Sequence, residues 1–258
     1  MLRLINPTVT LAVTAFWKSS RTVRNRLRVI FRTGMPAWYV PLMLSHGLRE
    51  RSFRARYQSS VARFFEVSKT LEVSTSWFFN HTAKWFWLID SLGLREKPLR
   101  ILEIGSWEGL STYFLLSEIP QSTLVAVDTW QGSDENEEVS EELFATFNQN
   151  IGSFPGRVET FVGKSEDFFE TAVKPGDAFD LIYVDGSHRA EDVRKDAENG
   201  FPLLREGGLM VFDDFFWQFY PNPKDNPAAA INDFLKANRE KVDVVDATYQ
   251  VTVRKRVS

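Results

Sequence analysis

The chain has 258 residues, of which 43% are hydrophobic and 25% charged, a composition typical of a globular protein with a sizeable core. It contains no cysteine and three histidines, which excludes disulfides, thiolate nucleophiles and cysteine-based zinc or iron–sulfur sites. Any metal site must therefore depend on carboxylates. No apolar run approaches the ~20 residues that a membrane-spanning helix needs, and the longest, Val9 to Trp17, is interrupted by threonines.

The net charge of −3 hides a division of the chain. Residues 1–65 contain twelve lysines and arginines against one acid, Glu50, whereas residues 66–258 contain nineteen against thirty-three. This pattern predicts a basic, mostly helical extension over residues 1–65, followed by an acidic domain over 66–258. Residues 1–35, which contain no acid, have three open interpretations, namely a solvated, partly helical extension, an interfacial helix on anionic lipid, or a transit peptide.

Residues 66–98 predict lead-in helices, whose dense aromatic side chains either fill a core or roof a pocket. From residue 99 onward, short apolar runs alternate with polar stretches, as buried parallel strands with crossover helices require. Together with a C-terminal helix and an antiparallel hairpin, these strands form the predicted core over residues 99–258. The predicted fold is therefore a doubly wound α/β sheet. Its predicted strands are Arg100–Ile104, Thr123–Val127, Val158–Val162, Phe179–Val184 and Gly208–Phe212, with the helix Ala228–Asn238 and the hairpin strands Val242–Val245 and Tyr249–Val253.

The first motif, Leu-Glu-Ile-Gly-Ser-Trp-Glu-Gly-Leu-Ser, spans residues 102–111 directly after the first predicted strand. Its glycines, Gly105 and Gly109, allow a sharp turn and a close approach to a ligand. The helix that follows offers backbone N–H groups to a carboxylate. The Gly-x-x-x-Gly spacing departs from the dinucleotide fingerprint, which disfavours a nicotinamide or flavin cofactor. A simple strand-to-helix turn remains the alternative.

Polar residues also follow the next two predicted strands. Asp128 ends the second strand, where doubly wound nucleotide-binding folds place an acid that accepts hydrogen bonds from ribose hydroxyls. Ser165 and Glu166 follow the third strand, where an adenine edge would be met by small polar groups. The alternatives are a loop cap for Asp128 and a helix N-cap for Ser165.

Three carboxylates follow the fourth and fifth strands. Asp185 begins the motif Asp-Gly-Ser-His, and Asp213 and Asp214 end the fifth strand. Neighbouring parallel strands bring such residues to one edge of the sheet, where ligands bind. Their charges repel unless a cation or shared protons offset them. Oxygen ligands of this kind suit Mg²⁺, Mn²⁺ or Ca²⁺, and separate loop caps are the alternative.

These five motifs, in this order, resemble those of class I S-adenosylmethionine-dependent methyltransferases of the metal-dependent small-molecule O-methyltransferase type. The resemblance covers Trp77 to Arg254. It implies a Rossmann-like seven-stranded sheet with a C-terminal antiparallel hairpin, preceded here by a helical N-terminal extension. It also implies S-adenosyl-L-methionine as cofactor and a divalent metal, of which Mg²⁺ is the first candidate.

The resemblance assigns roles to the motif residues. Asp185, Asp213 and Asp214 correspond to the metal ligands, and Asp185 also to a contact of the cofactor's amino group. His188 stands where catechol-type enzymes have a lysine base, so base, metal ligand and substrate contact remain open for it. The implied cofactor contacts are Glu103, Gly105, Ser106, Gly109 and Ser111 at the methionine portion, Asp128 and Trp130 at the ribose, and Ser165 and Glu166 at the adenine.

The expected activity is metal-assisted O-methylation of a hydroxyl on a small molecule, sugar or glycan. An N-methyltransferase is one alternative, although the Asn/Asp-Pro-Pro-aromatic motif of enzymes that methylate adenine or cytosine is replaced here by Asp-Gly-Ser-His over residues 185–188. A binding protein whose basic extension contacts membrane or nucleic acid is another, with nucleic acid disfavoured. A two-His-one-carboxylate iron site is not evident. The expected location is cytoplasmic, with peripheral membrane contact, organelle targeting and a homo-oligomer left open.

Overall fold

The computed structural model describes residues 26–132 and 142–257. The predictions made for residues 1–25 lie outside these described residues. None of the helices in the described part has the length and apolarity that crossing a bilayer requires.

Helices occupy the first part of the described chain. Residues 26–32 are helical. They are followed by α1 (Tyr39–Arg56), α2 (Gln58–Ser68), a 3₁₀ turn over Trp77–Asn80 and α3 (Thr82–Ser91). Tyr39 and Met43 of α1 are buried in the same apolar cluster as the sheet residues. Helix α1 therefore packs against the sheet region.

A seven-stranded sheet forms the centre of the domain, with the order β3-β2-β1-β4-β5-β7-β6. The first five strands are parallel, and β7 lies antiparallel between β5 and β6. This topology confirms the predicted fold, including the closing hairpin. The strands are β1 (Arg100–Ile104), β2 (Thr123–Asp128), β3 (Val158–Val162), β4 (Phe179–Val184), β5 (Leu204–Phe212), β6 (Val242–Ala247) and β7 (Val251–Lys255).

The fifth strand begins four residues earlier than its apolar pattern predicts. An irregularity in its pairing with β4, between Phe179 and Leu181, brings Leu204 into the sheet ahead of the apolar run. Arg205 to Gly207 are exposed in this irregular part. A hydrophobic pattern identifies only the buried half of such a strand.

Helices cover both faces of the sheet. Along β1, Ile101 and Leu102 point to opposite faces and belong to two separate apolar clusters. The cluster that contains Ile101 also contains Trp85 and Phe86, so part of the aromatic lead-in fills a core. The helices of the sheet region are α4 (Leu110–Glu118), α5 (Leu143–Asn150), α6 (Ser165–Thr171), α7 (Ala190–Leu203) and α8 (Pro227–Ala237).

The turn after β1 touches the end of β4. Gly105 has a φ of 86°, and a Cβ atom added there would lie 2.1 Å from the backbone oxygen of Asp185. The backbone N–H of Asp185 donates to the carbonyl of Ile104 at 2.8 Å. Glycine at position 105 is therefore what allows Asp185 to lie against the turn.

We expect Gly105→Ala to destabilise the protein by about 3 kcal/mol or more, because the new methyl group forces two strand ends apart. Gly176 is a matched control, since it has a φ of 89° but nothing within 4 Å of its added Cβ. Gly176→Ala should cost only the backbone strain, roughly 1–2 kcal/mol. Urea unfolding of both variants measures the difference, and equal losses would contradict the close-contact explanation.

Candidate functional site

A cavity of about 1070 Å³ opens at the carboxyl ends of β1, β2, β4 and β5. This is the edge where doubly wound sheets bind ligands. Trp77, from the aromatic lead-in, also lines it, so that segment contributes to a pocket as well as to a core. The predicted site residues that line the cavity are Gly105, Ser106, Ser111, Asp128, Ser165, Glu166, Asp185, His188, Asp213 and Asp214.

Three predicted cofactor contacts lie behind the cavity wall instead. Glu103 is fully buried and accepts hydrogen bonds from the hydroxyls of Ser106, at 2.9 Å, and Thr112. An added Cβ on Gly109 would lie 3.0 Å from the ring of Phe147, so this glycine makes room for α5. Glu103 and Gly109 therefore shape the turn rather than forming the cavity surface.

Trp130 is the third of these residues. Its ring packs against Phe144 and Phe147 in the core. Its indole N–H donates to the carbonyl of Trp107 at 2.9 Å, which supports the turn from within. The local sequence does not indicate whether a tryptophan that follows a strand end faces the ligand or the core.

Asp128 ties the turn to the end of β2. One carboxylate oxygen accepts the backbone N–H groups of Ser106 and Trp107, at 2.8 and 2.9 Å. The other accepts the N–H of Trp130 at 2.7 Å. Three bonds to backbone N–H groups hold this carboxylate in place at the cavity surface.

The third strand leads to a polar corner of the cavity. Glu166 forms an ion pair with Lys195 at 2.5 Å. Asp196 is buried beside Ser165, and burial raises its pKa to about 7. Asp196 also lines the cavity. Sequence reasoning missed this residue because it lies inside α7, away from any strand end.

An acidic cluster forms the floor of the cavity. Asp185, His188 and Asp214 each direct one ligand atom to a common point, all within 4.8 Å of one another. Nε2 of His188 lies 2.7 Å from Oδ2 of Asp214. Asp214 has a φ of 57°, and its other oxygen accepts a hydrogen bond from the Tyr249 hydroxyl at 2.7 Å. Backbone conformations of this kind concentrate at functional sites.

Asp213 lies next to this cluster but is held from the protein side. Its Oδ2 accepts hydrogen bonds from the Tyr183 hydroxyl at 2.5 Å and the Gln250 side chain at 2.6 Å. Its Oδ1 accepts the backbone N–H of Asp214 at 2.7 Å. Of the three predicted metal ligands, Asp185 and Asp214 thus group with His188, whereas both oxygens of Asp213 accept hydrogen bonds from groups outside that cluster or from the backbone.

The electrostatics of the cluster suit a divalent cation. Burial raises the pKa of Asp185 well above its ordinary value, and the neighbouring charges of Asp213 and Asp214 raise it further. The Tyr183 hydroxyl lies within hydrogen-bond distance of both Asp185 and Asp213, yet it has only one proton to donate. A bound cation would neutralise the carboxylates through oxygen ligands of the type that Mg²⁺ prefers.

A buried lysine lies behind the cluster. Nζ of Lys84 donates to the backbone carbonyl of Gln250 at 2.9 Å and pairs with Asp246 at 2.8 Å. No other lysine or arginine is buried in residues 26–50, 52–132 and 142–257. The side chain of Gln250 in turn holds Asp213, so helix α3 connects to the acidic cluster through two residues.

Comparison with known proteins relates part of the domain to a known family. Residues 102–215 match the family model described as "Methyltransferase domain". This match covers less than half of the chain and runs from β1 to the residues that follow β5. This result and the topology confirm the family resemblance that the motifs show.

Two curated relatives each match more than half of this chain. An uncharacterized protein, y4gI of Sinorhizobium fredii, is 30% identical over 53% of this chain and 16% of its own length. Mycinamicin VI 2''-O-methyltransferase of Micromonospora griseorubida is 27% identical over 56% of this chain and 33% of its own length. The chain therefore spans a third or less of the length of these relatives.

Solved structures share the fold of this chain over most of its length. The O-methyltransferase TomG from Streptomyces achromogenes, in complex with SAM, has a TM-score of 0.52 and 19% identity, with 77% of this chain and 89% of that chain covered. MycE methyltransferase, in complex with Mg and SAH, has a TM-score of 0.50 and 19% identity, with 77% and 53% covered. At this identity, the likeness shows the fold.

The buried Glu103 leads to a prediction about stability and pH. Burial raises the pKa of Glu103 to about 7, against 4.5 for an ordinary glutamate. The folded state therefore binds this proton more tightly than the unfolded state. The resulting stabilisation is complete below pH 4.5 and is lost as the pH rises through 7, a change of roughly 3 kcal/mol.

Glu103→Gln should remove this part of the pH dependence, because the amide does not titrate. Urea unfolding between about pH 5 and pH 8 should show a flatter decline in the free energy of unfolding for the variant. Glu159 is exposed on β3, so Glu159→Gln controls for the loss of one charge. Identical slopes for wild type and Glu103→Gln would contradict the assignment to Glu103.

Proposed function

We propose that the domain transfers a methyl group from S-adenosylmethionine to a hydroxyl oxygen of a small molecule or sugar, with a divalent cation, Mg²⁺ first, beside that oxygen. One observation carries the proposal: Asp185, His188 and Asp214 converge in the same cavity as the glycine turn after β1. The relatives named as O-methyltransferases and the neighbour crystallised with Mg and SAH support it.

The cofactor would occupy the end of the cavity formed by the turn and by β2. Gly105, Ser106 and Ser111 would contact its methionine portion, and Asp128 its ribose. Because the Asp128 carboxylate already accepts three backbone N–H groups, its position is determined before any ligand binds. Ser165 and Glu166 would meet the adenine, with the buried Asp196 next to them.

The cation would be held by Asp185 and Asp214, with Asp213 as the third predicted ligand. When bound, S-adenosylmethionine supplies a methyl group on a positive sulfur, which passes to the acceptor oxygen as the carbon–sulfur bond breaks, and the cation supplies positive charge beside that oxygen. Tyr183 and Gln250 hold Asp213 in place, so the carboxylates do not have to reorganise for each turnover.

His188 would act as the base. Its Nε2 lies 2.7 Å from Oδ2 of Asp214, so Nε2–H donates to that carboxylate, which would fix the ring and stabilise the imidazolium that forms when Nδ1 takes the proton of the acceptor hydroxyl. The ring of Trp217, whose centroid lies 5.4 Å from that of His188, would border the acceptor.

We also propose that the basic residues 1–65 contact an anionic membrane surface, which their excess of arginine favours. The predictions of a cytoplasmic location and of a homo-oligomer stay predictions.

Calorimetric titration tests the cofactor and the metal together. Wild-type protein should bind S-adenosylmethionine and S-adenosylhomocysteine in the micromolar range and NAD far more weakly. Asp214→Asn should abolish Mn²⁺ binding and methylation of catechol or methyl glycosides, while cofactor affinity changes less than about threefold. Asp233, an exposed acid on α8, provides the control Asp233→Asn. If the protein bound NAD but neither S-adenosylmethionine nor S-adenosylhomocysteine, the cofactor assignment would be overturned. Full activity in the presence of a chelator would contradict only the proposed role of the metal.

A second experiment separates the possible roles of His188. If it is the base, His188→Ala should lower kcat by ~10²–10⁴-fold, with Mn²⁺ affinity unchanged and the acidic limb of the pH–rate profile lost. His188→Lys should keep part of the activity, because a lysine amine can take the same proton. A fall in Mn²⁺ affinity that matches the fall in kcat would identify His188 as a metal ligand instead.

A further inference from the structure

The two helices that begin the described chain present large hydrophobic side chains to solvent. Phe31 is 79% exposed and Leu48 81%, more than any other large hydrophobic side chain of residues 26–132 and 142–257. Leu27 and Leu44 are 46% and 62% exposed. Within each helix the pair is spaced four residues apart, so both members lie on one side.

The opposite sides of these helices are well packed. Val29 is buried in the first helix and Thr33 is buried directly after it. Met43 and His46 are buried in α1. Thr33 accepts a hydrogen bond from the Asn232 side chain, at 2.8 Å to its hydroxyl. The outward hydrophobic side chains are therefore held on an ordered surface that already has a complete inner face.

Arginines accompany these hydrophobic side chains. Arg28 and Arg32 are exposed and each follows one of the outward residues, Leu27 and Phe31. Residues 26–56 contain seven arginines and one glutamate, in a chain whose remainder is acidic. A helix side that combines exposed hydrophobic residues with arginine is complementary to an anionic lipid surface, where apolar burial and charge attraction add.

The same helices border the cavity. Arg26 lines it, and its guanidinium carbon lies 5.1 Å from the centre of the Phe216 ring. Glu50 and Arg54 of α1 pair at 2.8 Å and also line the cavity. The outward side chains therefore belong to the same two helices as residues of the cavity wall.

We propose that a docking face, formed by Leu27, Arg28, Phe31, Arg32, Leu44 and Leu48, binds the surface of an anionic bilayer, and that the acceptor reaches the cavity from that bilayer. The acceptor is then an amphiphile that carries its reacting hydroxyl in the headgroup. This inference rests on the proposed methyl transfer. It adds the docking residues and the chemical class of the acceptor.

Vesicle flotation of the full chain tests the docking face. The wild type should float with vesicles of phosphatidylcholine and phosphatidylglycerol, and much less with phosphatidylcholine alone or when salt rises from about 0.05 M to about 0.5 M. Both the double variant Phe31→Ser/Leu48→Ser and the double variant Arg28→Glu/Arg32→Glu should lower the partition coefficient by about tenfold or more. Val162 and Val257 are exposed elsewhere, so Val162→Ser/Val257→Ser is the matched control.

Two results would overturn the docking face. One is an equal loss of binding in the control variant, or no flotation of the wild type. The other is that the wild type binds RNA but not vesicles, and that the Phe31→Ser/Leu48→Ser variant binds RNA equally well. That result would show that the arginines form a nucleic-acid surface. Unchanged S-adenosylmethionine affinity in all three variants shows that they are folded.

Transfer of label from methyl-tritiated S-adenosylmethionine tests the source of the acceptor. With vesicles of phosphatidylglycerol or phosphatidylinositol, whose headgroups carry hydroxyls, label should enter the lipid extract. Phe31→Ser/Leu48→Ser should lose this labelling by about tenfold or more while it methylates soluble catechol at the wild-type rate. Labelled catechol without labelled lipid, or equal lipid labelling by this variant, would overturn the inference and leave the proposed methyl transfer intact. If the wild type did not bind S-adenosylmethionine at all, that result would instead count against the proposed function.

Discussion

Repulsion among Asp185, Asp213 and Asp214 is the constraint that shapes the carboxyl edge of this sheet. One buried and two half-buried carboxylates in one small volume are unstable unless donors or positive charge surround them. Hydroxyls of Tyr183 and Tyr249 and the amide of Gln250 meet them from one side. The side that faces the cavity is left to His188 and to whatever cation the cluster binds.

The helices before the sheet take part in this balance. Lys84 of α3 brings a buried positive charge to Gln250 and Asp246, and His46 of α1 lies 3.6 Å from the same aspartate. Burial lowers the pKa of His46, which favours its neutral form. The basic composition of residues 1–65 suggests an independent arm, but in the described part these helices support the site from behind and line its mouth.

The sequence pattern within a segment predicts those structural features that depend on residues of the same segment. Short apolar runs give β1, β2 and β4 because both faces of these parallel strands are buried, and parallel topology brings Asp128, Asp185 and Asp214 to one edge. Trp130 and Glu103 face inward through contacts with Phe147 and Thr112. Gln250 and Lys84 lie far apart in the chain and meet only in the folded state. No spacing within either segment could indicate their pairing.

The position of β7 between β5 and β6 has a consequence for biosynthesis. β6 pairs only with β7, so when the ribosome has made residue 247, this strand still lacks its neighbour. Gln250 and Tyr249, which hold Asp213 and Asp214, also come later than every strand that carries an acidic residue of the cluster. A nascent chain therefore carries an incomplete, negatively charged sheet edge until the strand after residue 250 leaves the exit tunnel, and the acidic cluster is completed in one of the final steps of folding.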